Sequence, residues 1–197
     1  MTRDTRDAEY TARLARAQSA PWKRLLGVQL PYRWNLRRLR LGRTLEVGCG
    51  IGRNLVALSG AGVGIDHNAH SVAYAREHGL EAFTPEGFLA SRFAVPASFD
   101  SLLLSHVIEH MTGAEAAALV REHAPWLRPG GRLVVITPQD AGFASDASHV
   151  QFMDFEAIRA VMAAAGFAPD RAYSFPFPRP VGRFFTYNEF VVLGRQV

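Results

Sequence analysis

From Arg43 onward, short apolar runs alternate with amphipathic stretches. Thr44 to Gly48 reads as a buried strand, and Asn54 to Ser59 as the start of a helix. Gly62 to Asp66 gives a second strand, followed by a helix over about Ala69 to His78. Leu80 to Thr84 and Phe99 to Ser105 give a third and a fourth strand. Glu115 to Leu127 has strong helical periodicity, with Pro129-Gly130-Gly131 as the breaker that ends it. Arg132 to Thr137 is a fifth strand, and Phe155 to Ala165 a helix stopped by Gly166. Strands spaced by helices predict parallel βαβ units, an α/β sheet with helices on both faces. Asp170 to Phe177 and Phe184 to Leu193 break that rhythm. They are aromatic-rich and leave no room for a helix, so they predict an antiparallel pair at one edge. The first forty residues read as a helix over about Asp7 to Gln18, then Pro21, then an apolar-basic segment from Trp22 to Leu41. That segment is expected across the carboxyl ends of the strands or against a helical face.

The 197 residues fit one domain with an N-terminal appendage, divided here as 1–42 and 43–197. Hydrophobic residues at 48% and charged residues at 20% exclude a disordered or fibrous chain. No apolar run approaches the ~18 residues that span a bilayer. Met1 to Tyr10 mixes charged and polar residues, unlike a secretory signal. Cys49 is the sole cysteine, which fits a reducing cytoplasm. Charge is uneven. Residues 1–43 hold eleven Arg or Lys against three acids, +8, whereas the remainder is −4. Such a segment suits an anionic partner or, more plainly, forms an arginine-rich solvated helix.

The sharpest chemistry lies in Leu45-Glu46-Val47-Gly48-Cys49-Gly50-Ile51-Gly52, which leaves a strand and enters a helix. Glycines at alternate positions allow backbone to approach a ligand, in a spacing unlike the G-x-G-x-x-G of dinucleotide binders. Glu46 would disfavour a pyrophosphate and welcome a cation. Asp66, ending the second strand, can chelate both hydroxyls of a ribose. The ligand so described has a ribose and a positive charge and no phosphate.

At these residues the chain resembles the class I S-adenosylmethionine-dependent methyltransferases. Phe99 to His110 looks like that family's fourth strand and following segment. Leu127 to Leu133 looks like its fifth-strand entry, and the terminal pair like its two extra strands. The resemblance implies a Rossmann-like, doubly wound seven-stranded sheet of order 3-2-1-4-5-7-6. It implies that Gly48, Cys49, Gly50 and Gly52 hold the methionine moiety and Glu46 its ammonium. Asp66 would then take the ribose, His67 flank the adenine, and Glu86 with Gly87 face the adenine amine, although Glu86 reads equally as a surface turn residue. Ser105 and His106 would face the sulfonium.

Amines accept a methyl group unaided, whereas an alcohol needs a base or a metal. His106, Glu109 and His110 stand at i, i+3 and i+4 on one turn, with His149 in the loop after the fifth strand beside Asp140 and Asp146. The four are candidate catalytic residues, and Glu109, His110 and His149 candidate ligands for a divalent metal such as magnesium. The spacing is similar to a metal-binding cluster in small-RNA 2′-O-methyltransferases, which carry Glu at the position of His106. Trp22, Tyr32, Trp34, the loop Pro138 to Met153 and the turn Phe175 to Tyr187 are candidate walls for an acceptor, with Phe175, Phe184 and Phe185 expected in the core. Aromatic faces interleaved with arginines suit a sugar. The expectation is O-methylation of a sugar or other small-molecule hydroxyl. RNA, a quinone or phenol precursor, and a non-catalytic cofactor-binding role are the alternatives.

Overall fold

The computed structural model describes residues 29–197. The helix expected over Asp7 to Gln18, Trp22 and most of the basic segment lie outside the described residues. The chain forms two compact units that divide after Ala94.

The first unit carries α1 (Leu30–Arg38), β1 (Thr44–Val47), α2 (Arg53–Ala57), β2 (Gly62–Ile65), α3 (Ala69–Glu77), β3 (Ala82–Phe83) and α4 (Pro85–Leu89). Every residue of β1 and β2 is buried, as expected of parallel strands covered on both faces. Cys49, Leu55, Val72, Ala75 and Ala82 form the core between the strands and α2 and α3. The second of the two placements expected for the N-terminal segment is seen at its described end. α1 packs on α2, and Arg37 Nε donates to the Ala57 carbonyl at 3.2 Å.

The second unit carries β4 (Phe99–Ser105), α5 (Gly113–His123), β5 (Leu127–Pro138), α6 (Asp140–Ala144), α7 (Phe155–Ala164), β6 (Phe167–Phe175) and β7 (Glu189–Gln196). Thr112 and Glu115 close a capping box on α5, and Asp154 caps α7. The strand order is β3-β2-β1-β4-β5-β7-β6. β1, β2 and β3 run parallel, as do β4 and β5, while β7 is antiparallel to both β5 and β6. This is the Rossmann-like seven-stranded sheet expected above.

Three local expectations are corrected. α5 ends at His123, and Pro129-Gly130-Gly131 lies inside β5 rather than terminating a helix. Pro125 is the stop: it has no N–H to continue the α-helical ladder, and the chain tightens into a 3₁₀ turn over Ala124–Trp126. The last strand begins at Glu189, not Phe184, because a 3₁₀ turn over Arg179–Arg183 intervenes. Phe175 is core and Phe185 half-buried, but Phe184 is 85% exposed.

Candidate functional site

In the first unit the chain leaves β1 through three glycines in left-handed backbone, with φ of 76° at Gly48, 52° at Gly50 and 80° at Gly52. L side chains rarely adopt such angles, which is why glycine recurs. The Gly48 and Cys49 amides donate to the Ile65 carbonyl. The Gly50 amide donates to Asp66 Oδ2 at 2.7 Å, and Asp66 Oδ1 accepts from the Asn68 amide at 2.8 Å. Asp66 therefore ties the glycine loop to the start of α3, whose N-cap is Asn68. His67 is exposed beside it, 3.9 Å from Oδ1.

Glu46 is fully buried at the end of β1. Its Oε1 accepts from Asn54 Nδ2 at 2.7 Å, while Oε2 has no partner. Burial raises its pKa to about 8; the Asn54 bond offsets part of that and Asp66 adds to it. Burial, with Glu46 and Asp66 nearby, also holds Cys49 as the neutral thiol. A buried carboxylate oxygen without a donor matches a ligand that brings its own ammonium. Glu86 is exposed in the first turn of α4, and the Gly87 amide donates to Thr84, the helix N-cap.

In the second unit β4 ends at Ser105, half-buried and in register with Ile136 of β5. His106 follows at φ +59°, an angle that costs a side-chain-bearing residue. Its Nε2 lies 2.9 Å from Glu189 Oε1 and its Nδ1 3.4 Å from Glu109 Oε1. Partial burial opposes the charged ring, but the two carboxylates outweigh it and push the pKa up to about 10. With 44% of the side chain accessible, water screens part of that attraction.

The short 3₁₀ turn Ile108–His110 brings Glu109 inward, completely buried, with neither carboxylate oxygen hydrogen-bonded. The Glu109 carbonyl accepts from the Val150 and Gln151 amides, which fastens the His149 loop to this turn. His110 Nδ1 lies 3.2 Å from the Ser148 carbonyl, and His149 Nδ1 2.7 Å from that of Phe143. A carbonyl only accepts, so each Nδ1 donates, and the neutral ring keeps its lone pair on Nε2. Ligand atoms of Glu109, His110 and His149 lie within 4.8 Å of one another. Asp140 and Asp146 take no part: Asp140 binds Arg179 through two bonds, and Asp146 accepts from Ser148.

Sequence reasoning did not single out Asn54, Asn68 or Glu189. Asn54 is a clamp visible only once the loop is folded, whereas Asn68 is an N-cap whose signal, an Asn directly before the helix, stands in the sequence. Glu189 stands 83 residues from His106. Among the proposed acceptor walls, Trp34 is exposed under Arg38, Tyr32 is half-buried, and Trp22 lies outside the described residues.

Residues 45–135 match a family model described as a methyltransferase domain. No curated protein matches the chain. Several solved structures share its fold. It is similar to a chain from the complex between the Haloferax volcanii Trm112 methyltransferase activator and a methyltransferase (19% identity, TM-score 0.69, 99% of this chain and 97% of that one covered). It is also similar to a SAM-dependent methyltransferase from Archaeoglobus fulgidus (16% identity, TM-score 0.64, 84% and 93% covered). A third is the magnesium protoporphyrin IX methyltransferase of Synechocystis with bound S-adenosylhomocysteine (16% identity, TM-score 0.60, 86% and 85% covered). Among the described residues, no helix is long and apolar enough to cross a membrane.

Proposed function

We propose that this chain, whose residues 45–135 match a methyltransferase domain, is a class I S-adenosylmethionine-dependent methyltransferase that methylates a hydroxyl oxygen of a small molecule, a sugar being favoured. Glu46 supports the donor side, since the unpartnered Oε2 fits the amino acid ammonium of S-adenosylmethionine. Gly48, Cys49, Gly50 and Gly52 would line the methionine part, with Asp66 at the ribose. His67, Glu86 and Gly87 would flank the adenine, and Ser105 and His106 the sulfonium side. When bound, the donor supplies a methyl carbon on a sulfonium, whose sulfur leaves neutral.

The observation that carries the choice of oxygen is Glu109, buried without a hydrogen bond among imidazoles. A neutral hydroxyl is a poor nucleophile until its proton is lost, so residues that help remove one are needed for alcohols and superfluous for amines. Both His106 ring nitrogens already face carboxylates, so neither is turned toward a substrate proton. Assistance falls to Glu109, His110 and His149, which would hold a divalent ion. Two imidazoles and one carboxylate suit manganese, cobalt or zinc better than magnesium, which prefers oxygen ligands. Such an ion lowers the pKa of a hydroxyl by Lewis acidity. Phe177, Phe184 and Tyr187 stand exposed in the stretch between β6 and β7 with Arg183, a surface on which a sugar ring can stack.

Turnover of labelled donor against a panel of sugars, catechols and RNA, before and after chelation, tests the reading. Chelation should lower turnover roughly 100-fold, with recovery on adding manganese or zinc. Unchanged turnover in the chelated protein would remove the metal, and transfer confined to amines would remove the hydroxyl. Methylation of RNA with a steep salt slope would replace the small-molecule acceptor.

A further inference from the structure

We propose that Glu189 is a positioning residue that sets the Glu109 carboxylate through the ring of His106. The inference rests on reading Glu109, His110 and His149 as a metal site, and it concerns a residue on the last strand, remote in sequence from all three.

The His106 ring bridges two acids, Glu189 at Nε2 and Glu109 at Nδ1, 2.9 Å and 3.4 Å away. Neither Glu109 oxygen has a hydrogen bond, so His106 Nδ1, 3.4 Å from Oε1, acts on the carboxylate as a neighbouring charge. The bridge is held at each end. The His106 amide donates to the Ile136 carbonyl at 2.8 Å, which fixes the residue in its left-handed turn and aims the ring. Glu189 opens β7 in register with both Pro138 of β5 and Phe175 of β6, and its side chain is 13% exposed.

A buried polar knot secures that register. Gln139 Nε2 donates to the Glu189 carbonyl and to Ser174 Oγ, both at 2.9 Å. Asn188 Nδ2 donates to Gln139 Oε1 at 3.0 Å, and Asn188 Oδ1 accepts from the Phe177 amide. A β-carbon at Gly182 would collide with the Gln139 side chain, so glycine there keeps the knot closed. The product of the knot is a carboxylate fixed against a histidine that is fixed against a second carboxylate. Outer partners of this kind orient metal ligands, and losing one typically costs 10–100-fold in metal affinity.

The test uses cobalt(II) as probe on the full chain, following the ligand-field absorption of the bound ion. Wild type should bind, Glu109→Gln should not, and Glu189→Gln should bind about 10–100-fold more weakly with an altered spectrum. Glu189→Asp, which keeps the charge, should recover part of the loss. Far-ultraviolet circular dichroism and a cooperative melting transition report that each variant is folded. If Glu189→Gln does not fold, His106→Gln should show the same weakening. Wild-type affinity and spectrum in a folded Glu189→Gln would overturn the positioning role and leave the metal site standing. A wild-type protein that takes up no cobalt would overturn both.

Discussion

Glu46 joins burial, titration and ligand recognition in one side chain. It is retained in an all-buried strand with one oxygen unpartnered, and its pKa of about 8 means that it is mostly protonated at neutral pH before any ligand binds. A cationic ligand needs the carboxylate, so binding must expel the proton. S-adenosylhomocysteine affinity, measured by calorimetry, should therefore rise with pH between about 6 and 8, by up to tenfold per pH unit. Stability moves the other way. A carboxyl whose folded pKa lies above its unfolded value stabilises the fold fully below the unfolded pKa and loses that contribution as pH rises through about 8. The melting temperature of the free protein should fall over that window. Glu46→Gln should flatten both curves, and a pH-independent wild-type affinity would contradict the assignment of Glu46 to the ammonium.

At the scale of elements, the glycine loop sits over Gly64 of β2. A β-carbon there would lie 2.7 Å from Cys49 Cβ and 2.9 Å from Leu55 Cδ1. Cys49 Cβ is fixed by the backbone of the loop, so relief requires the loop itself to move. Gly64→Ala should destabilise the protein by about 1–3 kcal/mol, lowering the melting temperature by roughly 2–4 °C per kcal/mol, and it should weaken S-adenosylhomocysteine binding. Cys49→Gly in the same chain should restore part of both; unchanged binding in the Gly64→Ala variant would show that the loop is not braced from below. Legibility in the sequence followed the same scale. The strands β1, β2 and β4 and the helices α3 and α7 were readable because apolar period and caps agree locally. Thr44 to Gly48, for example, carries its own strand pattern and its own stop. The start of β5 was missed although Pro125 is a local helix stop, and the start of β7 was not readable because the Gln139–Asn188 knot acts across distance. Glu109 and His110 were singled out by helical spacing and His149 by its place in the loop after the fifth strand, and the structure brings the three together on a 3₁₀ turn and a returning loop. Glu189 carried no local signal at all. The collision at Gly64 is between β2 and the loop and helix that follow β1, invisible in any one of them alone.

Across the whole molecule, the two compact units divide the chemistry read from them. Residues up to Ala94 carry Glu46, the glycine loop and Asp66; residues from Val95 carry His106, Glu109, His110, His149 and Glu189. If donor binding and acceptor activation are separate tasks, they should fail separately. Asp66→Ala removes the carboxylate that accepts from the Gly50 and Asn68 amides, so it should cost about 10–100-fold in S-adenosylhomocysteine affinity, roughly 1.4–2.8 kcal/mol for two charge-assisted bonds. Glu109→Gln should leave that affinity within about twofold and abolish cobalt uptake and transfer to a hydroxyl. Effects of independent sites add, so if the two tasks are independent the double variant should show the affinity of Asp66→Ala and the metal binding of Glu109→Gln, with a coupling energy below about 0.5 kcal/mol. Coupling well above that value in calorimetric titrations of the four proteins would mean that the glycine loop and the histidine cluster respond to one another. The separate reading of donor and acceptor chemistry would then have to give way to a single cooperative site.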